Sequence, residues 1–380
     1  MRGTTALIAV FVAAAIAIAV AVVVWLRWRP TSTNPTTRAC DLDIDQEFEE
    51  EFEEEFEEEF EEEFDISGGL EASNPLATLT SLAETSAVSF DVPYFNTKTQ
   101  QASTRTCWVT LPQGFTSSTS GSSLSSFGVY FFFHGTAMSA TAAFQACQEL
   151  VGNNKCVCFA LQGSMLSDTT STTSSVYSWD VNDSTGADDL SLVLALFNSI
   201  SSDTRLDFAR VYACGHSVGS LFVGNVLATQ TSIFSGCLCL SSQLLADTVI
   251  STGQPNTSIV FINGDQDPMI PAAGGQASFS QDLTFLSVKD SVAAWSLQNQ
   301  CASDLVETQN TFTYTLPLDS QTVQASYTLY MSPCSAGLVA GYILSSEESP
   351  IEHDTIQPAL SLFNVSNTVL LVLAVFQDNN

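Results

Sequence analysis

Basic side chains are what this chain has least of. Its 380 residues carry 10 Lys and Arg against 41 Asp and Glu, a formal net charge of -31. A surface of that sign repels phosphates, which disfavours nucleic acid and anionic membrane surfaces as partners. Charged residues of either sign are few, 13% of the chain, while 45% is apolar and Phe alone contributes 25 residues. One large domain with a sizeable core, plus accessory segments, fits within this length. Histidine is scarce as well, with three in total. Any chemistry that needs an imidazole therefore has very few places to be.

The acid is concentrated. Residues 41–65 hold 17 of the 41 acidic side chains, and from residue 66 onward 24 acidic and 6 basic residues leave a net of -18. Upstream, Ala6 to Leu26 are 21 consecutive apolar residues, with Arg2 before and Arg27 and Arg29 after. That run is long enough for a bilayer core of ~30 Å. It reads as a signal anchor over 1–29, with a cleaved signal peptide as the alternative. This segment is the only part expected to touch a membrane. The flanking arginines favour a cytoplasmic domain. Ten cysteines and sequons at Asn182, Asn256 and Asn364 favour an extracellular or lumenal one, and the cysteines carry more weight. Residues 30–75 read as an acidic stalk, in which Phe48, Phe52, Phe56, Phe60 and Phe64 recur every fourth position among glutamates. Mutual repulsion makes that repeat a marginal helix; a plain spacer is preferred over a cation- or partner-binding element.

From residue 76 to 380 the composition is that of a folded domain. Its organising stretch is 210–228. Val211, Tyr212 and Ala213 form a compact apolar run suited to a buried strand. Gly215-His216-Ser217-Val218-Gly219 follows, a G-x-S-x-G pattern in which flanking glycines let a strand and a helix crowd a strained serine. Val218, Leu221, Phe222 and Val226 then repeat at helical spacing. Further apolar runs at Thr106–Leu111, Phe127–Phe133, Cys156–Leu161, Leu238–Leu240, Ser258–Ile262 and Tyr327–Met331 read as strands. Helices are expected after Asp188-Asp189, over Val292–Leu297 and over Thr368–Phe376. Alternating strands and helices predict an α/β fold, a mostly parallel sheet with helices on both faces.

A serine nucleophile needs a base, and the base needs an acid. His216 adjoins Ser217 on a turn that points neighbouring side chains apart. His134 ends a strand before Gly135, a place that supplies backbone donors. His353 remains as the base. The acid belongs after a strand between Ser217 and His353, where Asp265 and Asp267 both stand. For an oxyanion hole the donors are the amide of Val218 and that of Thr136 or Ala137. Cys156-Val-Cys158 and Cys237-Leu-Cys239 lie in strand-like runs without a nearby histidine, so buried thiols or disulfides are expected there and no metal.

The order of landmarks resembles a family of secreted esterases that includes polyhydroxybutyrate depolymerases and feruloyl or acetylxylan esterases, within the α/β-hydrolase superfamily. Tyr130–Gly135 resembles the family's strand ending in HG, and Cys158–Gly163 its strand ending in PQG. Trp179 stands upstream of Asp188-Asp189 as a family tryptophan does. Arg210–Gly219 resembles RVYVTGxSxG, Ile262–Pro271 resembles HGTxDPxVP, and Trp295 with Cys301 resembles W…NGC. The resemblance implies Asp267 rather than Asp265 as the triad acid, a Cys301–Cys334 disulfide and no cofactor. It also implies an acyl-Ser217 route on an ester substrate, plausibly polymeric. His134, Gly135, Trp179 and His216 are expected along the substrate site, and Tyr177 and Trp179, on the long insertion 164–187, are expected to offer a stacking surface. The segment around His353 departs from the family's GGGHxWP, which leaves a catalytically silent binding domain as the rival reading. No oligomeric state is implied.

Overall fold

The computed structural model describes residues 74–78, 88–115, 127–141, 156–166, 176–181, 186–250, 257–280, 282–301, 304–315, 322–332, 334 and 338–345. The chain divides into two units, Met1–Gly68 and Gly69–Asn380, and every described residue belongs to the second. The apolar run 6–26, the Glu/Phe repeat, His353 and the apolar stretch 368–376 lie outside the described residues. Among the described residues no helix is long and apolar enough to cross a membrane.

In chain order the strands are β1 (Val88–Asn96), β2 (Gln101–Thr110), β3 (Phe127–Phe133), β4 (Cys156–Leu161), β5 (Ser164–Leu166), β6 (Val176–Ser178), β7 (Leu206–His216), β8 (Gly236–Leu240), β9 (Ser258–Gly264), β10 (Gly275–Gln276), β11 (Thr284–Phe285), β12 (Val306–Thr315), β13 (Thr322–Ser332) and β14 (Val339–Ser345). Ten of them form one sheet in the order β1-β2-β4-β3-β7-β8-β9-β14-β13-β12. From β4 to β14 neighbouring strands are parallel. β2 and β1 add antiparallel at one edge, and β13 and β12 at the other. The chain steps one way from β3 to β4, then returns across β3 to β7, so the direction of winding reverses beside β3. This is the α/β-hydrolase fold. In an open parallel sheet such a reversal opens a crevice at the carboxyl ends of the flanking strands.

The interior strands are apolar without alternation because both faces are covered. Every residue of β3, β4 and β9 is buried. One face carries Val129, Phe131, Phe133, Phe159, Val211, Cys237 and Phe261 in a single core with the helices α1 (Asp189–Ile200), α2 (Val218–Phe222) and α3 (Val288–Gln298). Residues of opposite parity are buried too, among them Phe132, Ala160, Cys214 and the Tyr130–Tyr212 pair, whose rings are 4.9 Å apart. α1 starts at an Asp188 cap that accepts the Ser191 amide at 3.0 Å, and α3 at a Ser287 cap that accepts the Asp290 amide at 3.0 Å.

The expected strands at 127–133 and 156–161 have the predicted bounds. β7 runs over eleven residues from Leu206, well before the predicted start at Val211, because parallel pairing with β3 reaches back to Leu206 through a register shift. Within the ten-stranded sheet, β1, β12 and β14 have no counterpart among the expected strands, and neither do the four short strands outside it; β1 and β12 are mixed polar strands held by edge pairing. Trp295 and Asn299 both donate to the Thr257 carbonyl, each at 2.9 Å, and so pin α3 to the entry of β9. The implied Cys301–Cys334 disulfide is present. Closing a loop with a sequence separation of 33 stabilises the fold by about 4 kcal/mol on the chain-entropy account. Cys158 is also disulfide-bonded.

Candidate active site

Ser217 sits at the carboxyl end of β7, with φ 55° and ψ -123°, and α2 begins at the next residue. A left-handed φ costs a non-glycine residue free energy, and the neighbours hold it there. The Ser217 amide donates to Leu240 O at 2.9 Å, and its carbonyl accepts from the Leu221 amide at 3.1 Å. The Ser220 hydroxyl lies within hydrogen-bond reach of Gly215 O and Leu240 O, at 2.8 and 2.9 Å. Both glycines of the pattern are required by contact. A Cβ on Gly215 would strike the Gly219 carbonyl, and one on Gly219 would lie 2.5 Å from His134 O and closer still to Phe133 O. The helix after the serine is thereby pressed onto the end of β3.

Across the crevice, Gly135-Thr136-Ala137-Met138 form a tight turn closed by Met138 N–H donating to Gly135 O at 3.2 Å. Ala137 has φ 63°, the positive value that a type II turn requires at its third position. Thr136 and Ala137 are exposed. The two candidate donors on this turn are not equivalent. The Ala137 amide donates to Tyr177 O at 2.9 Å, whereas the Thr136 amide makes no hydrogen bond among the described residues. The Val218 amide, first in α2, makes none either. Two unspent N–H groups thus flank Ser217, one at a helix N-terminus.

Asp267 lies three residues past the end of β9 and is buried, with Oδ1 accepting the Met269 and Ile270 amides at 2.8 and 2.9 Å. Asp265 is exposed, and among the described residues its carboxylate accepts only from the neighbouring Gln266 side chain, at 3.2 Å. Burial and a two-amide cradle distinguish Asp267. β8 lies between β7 and β9, so Ser217 and Asp267 leave strand ends two spacings apart, about 10 Å. One hydrogen-bonded imidazole fits that gap.

No protein-family model and no curated protein matches the sequence. Solved structures do match. An acetyl xylan esterase from Aspergillus awamori aligns over 68% of this chain and 94% of its own, at 12% identity and a TM-score of 0.42. A thermostable esterase aligns at 13% identity and a TM-score of 0.33 over 49% of this chain, which spans 48% of that protein. A carboxylesterase from Bacillus cereus aligns over 44% of this chain and 74% of its own, at 11% identity and a TM-score of 0.32.

The four residues expected along the substrate site are all buried, as Ser217 itself is. His134 is 0% exposed. Gly163 N–H donates to its Nε2 at 2.9 Å, Gln162 lies 3.1 Å from the same atom, and Nδ1–H donates to Gly135 O at 2.7 Å. Burial pushes this imidazole below its ordinary 6.5, against opposite pulls from the Gly135 carbonyl and Asp189, and it is neutral. Gly135 is buried where β3 and the elbow approach closely; a Cβ there would lie 3.0 Å from His216 Nδ1 and 3.3 Å from Ser217 Cβ, so both would have to give. His216 is buried beside it. Trp179 is 3% exposed, stacked on Phe222 at 5.2 Å and edge-on to Phe133 at 5.1 Å, so it offers no face for stacking. Tyr177 is half-buried.

Sequence reasoning also passed over the groups that hold this wall together. The Asp189 carboxylate pairs with the Arg105 guanidinium and accepts the Ser164 hydroxyl and Asp180 amide, both at 2.7 Å. Asp188 accepts the Thr97 amide and hydroxyl at 2.7 and 2.6 Å. The Asp-Asp pair was legible as a helix start; its partners Arg105 and Thr97, more than eighty residues upstream, were not.

Proposed function

We propose that the chain is a serine esterase that hydrolyses acyl esters through an acyl-Ser217 intermediate. The observation that carries this reading is the Ser217 elbow, held at a left-handed φ between two unspent amides, those of Val218 and Thr136. His353 acts as base. β14 runs parallel to β9, so the chain leaves β14 at the same, carboxyl end of the strands as Asp267, and His353 follows Ser345 by eight residues, a reach of up to about 26 Å. The other two histidines are buried in the wall of the crevice.

His353 takes the Ser217 hydroxyl proton as Oγ bonds the ester carbonyl carbon. Asp267 accepts the Nδ1 hydrogen and stabilises the imidazolium. The Val218 and Thr136 amides receive the negative oxygen of the tetrahedral intermediate. The bond to the alcohol breaks, and that alcohol leaves with the proton from His353. Water, deprotonated by the same base, then releases the acid and restores Ser217.

The resemblance to polyhydroxybutyrate depolymerases and to feruloyl and acetylxylan esterases supports an extracellular polymer as the substrate. Residues 6–26 are read as an anchor and 30–75 as a stalk. The Cys301–Cys334 disulfide supports an oxidising compartment. The test is hydrolysis of 4-nitrophenyl acetate by the full chain beside Ser217→Ala and His353→Ala. Both variants are expected to lose activity by at least 10³-fold. Wild-type activity in Ser217→Ala refutes the mechanism, and loss in Ser217→Ala alone moves the base elsewhere. Absence of turnover in the unmodified chain, on this ester and on polyester, feruloyl and acetyl substrates, leaves the binding-domain reading.

A further inference from the structure

The turn that carries the Thr136 amide is held from behind by three successive residues of another segment, and the residue after them anchors that segment. Tyr177 O accepts the Ala137 amide at 2.9 Å, the Ser178 hydroxyl meets the Thr136 hydroxyl at 3.1 Å, and Trp179 Nε1–H donates to His134 O at 2.8 Å. The pairs run antiparallel, 177 with 137, 178 with 136, 179 with 134. The fourth residue, Asp180, donates its amide to Asp189, which is itself fixed by Arg105. The same Trp179 ring stacks on Phe222 in the helix that follows Ser217, tilted by only 14°. One buried side chain therefore touches both walls of the crevice, the peptide entering the oxyanion turn through its N–H and the nucleophile helix through its face.

From this geometry we infer that Trp179 is a positioning residue that sets the distance between the Thr136 amide and Ser217. The inference rests on the esterase reading above. An insertion expected to bind substrate is, on this account, the backing of the oxyanion turn. Ala137 is held at a left-handed φ, a conformation that persists only where surrounding bonds over-determine it. Tyr177 O turns the Ala137 N–H outward, away from the hole, and Trp179 restrains the peptide before the turn. Loss of one restraint lets the Thr136 amide drift, and an oxyanion donor is worth about 10²–10³ in kcat when removed outright.

Trp179→Phe keeps an aromatic ring on Phe222 and deletes the N–H. In the full chain it is expected to lower kcat on 4-nitrophenyl acetate by about tenfold or more with KM within about twofold. Phenylboronic acid, which becomes tetrahedral on a serine oxygen, is expected to lose affinity by a similar factor, while a planar amide analogue of the substrate keeps its affinity. Ser178→Ala is expected to give the same split at smaller size, and it serves if Trp179→Phe does not fold. Wild-type kcat in the variants overturns the inference and leaves the esterase reading intact. A lower kcat with unchanged boronic acid affinity also overturns it, since that is what a general loss of structure produces. An unmodified chain indistinguishable from Ser217→Ala overturns both.

Discussion

Two alanine substitutions within one helical stretch separate contact from composition. Gly219 and Gly224 both lie in the segment after Ser217, and both would gain a single methyl group. At Gly219 the new carbon would stand 2.5 Å from His134 O, against an ordinary closest C···O approach of about 3.3 Å. The helix must withdraw from β3 by nearly 1 Å, and the clash with Phe133 O asks for more. A displacement of that size at a reacting group costs about 10²-fold in rate, and overpacking costs about 1–3 kcal/mol in stability. At Gly224 the nearest atom is Cys239 Sγ at 3.3 Å, followed by side chains at 3.8 Å, and a few tenths of an ångström of give suffice. Gly219→Ala is therefore expected to lower kcat/KM about 100-fold with a lower Tm, and Gly224→Ala to stay within about threefold of the unmodified chain. Steady-state hydrolysis and calorimetry on the purified full chain read both. Equal effects of the two substitutions, or a fully active Gly219→Ala, would show that the elbow tolerates separation from β3, and the proximity argument would fall.

Arg105→Met leaves the Asp189 carboxylate buried without its cation, a loss of about 3 kcal/mol that lowers Tm by roughly 6–12 °C; an unchanged Tm would mean the pair contributes nothing. Stability also depends on pH with a definite sign. Burial holds His134 below 6.5, so the unfolded chain takes the proton first, and stability present above about pH 6.5 is lost as pH falls below it. Burial raises Asp188 and Asp203, but hydrogen bonds from Thr97 and Ser191 to the first, and from Arg205 and Asn74 to the second, outweigh it and hold both below 3.8. Their contribution is present above that value and disappears as pH falls through their folded range. Urea midpoints measured from pH 8 to 3 should show two declines, and His134→Gln should lack the upper one. Cys107, Cys156, Cys214, Cys237 and Cys239 are buried thiols, and burial pushes Cys156 and Cys214 up to about 12. Iodoacetamide should leave these five unlabelled until the chain unfolds; rapid labelling of the folded protein would contradict the packing.

What was legible in the sequence is what local chemistry writes into adjacent residues. The continuous apolar runs at 127–133 and 156–161 are short and end at His134-Gly135 and Gln162-Gly163, which suits strands covered on both faces. Gly215-His216-Ser217-Val218-Gly219, between a buried strand and a helical repeat, fixed the elbow, because its glycines answer to contacts within a few residues and to the strand beside it. Family resemblance chose Asp267 over Asp265; the two-amide cradle and the burial give that choice a physical reason. Tertiary structure alone decided which turn amide is spent, because the acceptor, Tyr177 O, is forty residues from Ala137. It also decided that His134 and Trp179 are interior. Their residue types are as suited to a substrate groove as to a core, and their partners, Gly163 and His134 O, lie 29 and 45 positions away. Burial is a property of what covers a side chain, and in a sheet whose winding reverses that cover comes from segments far along the chain.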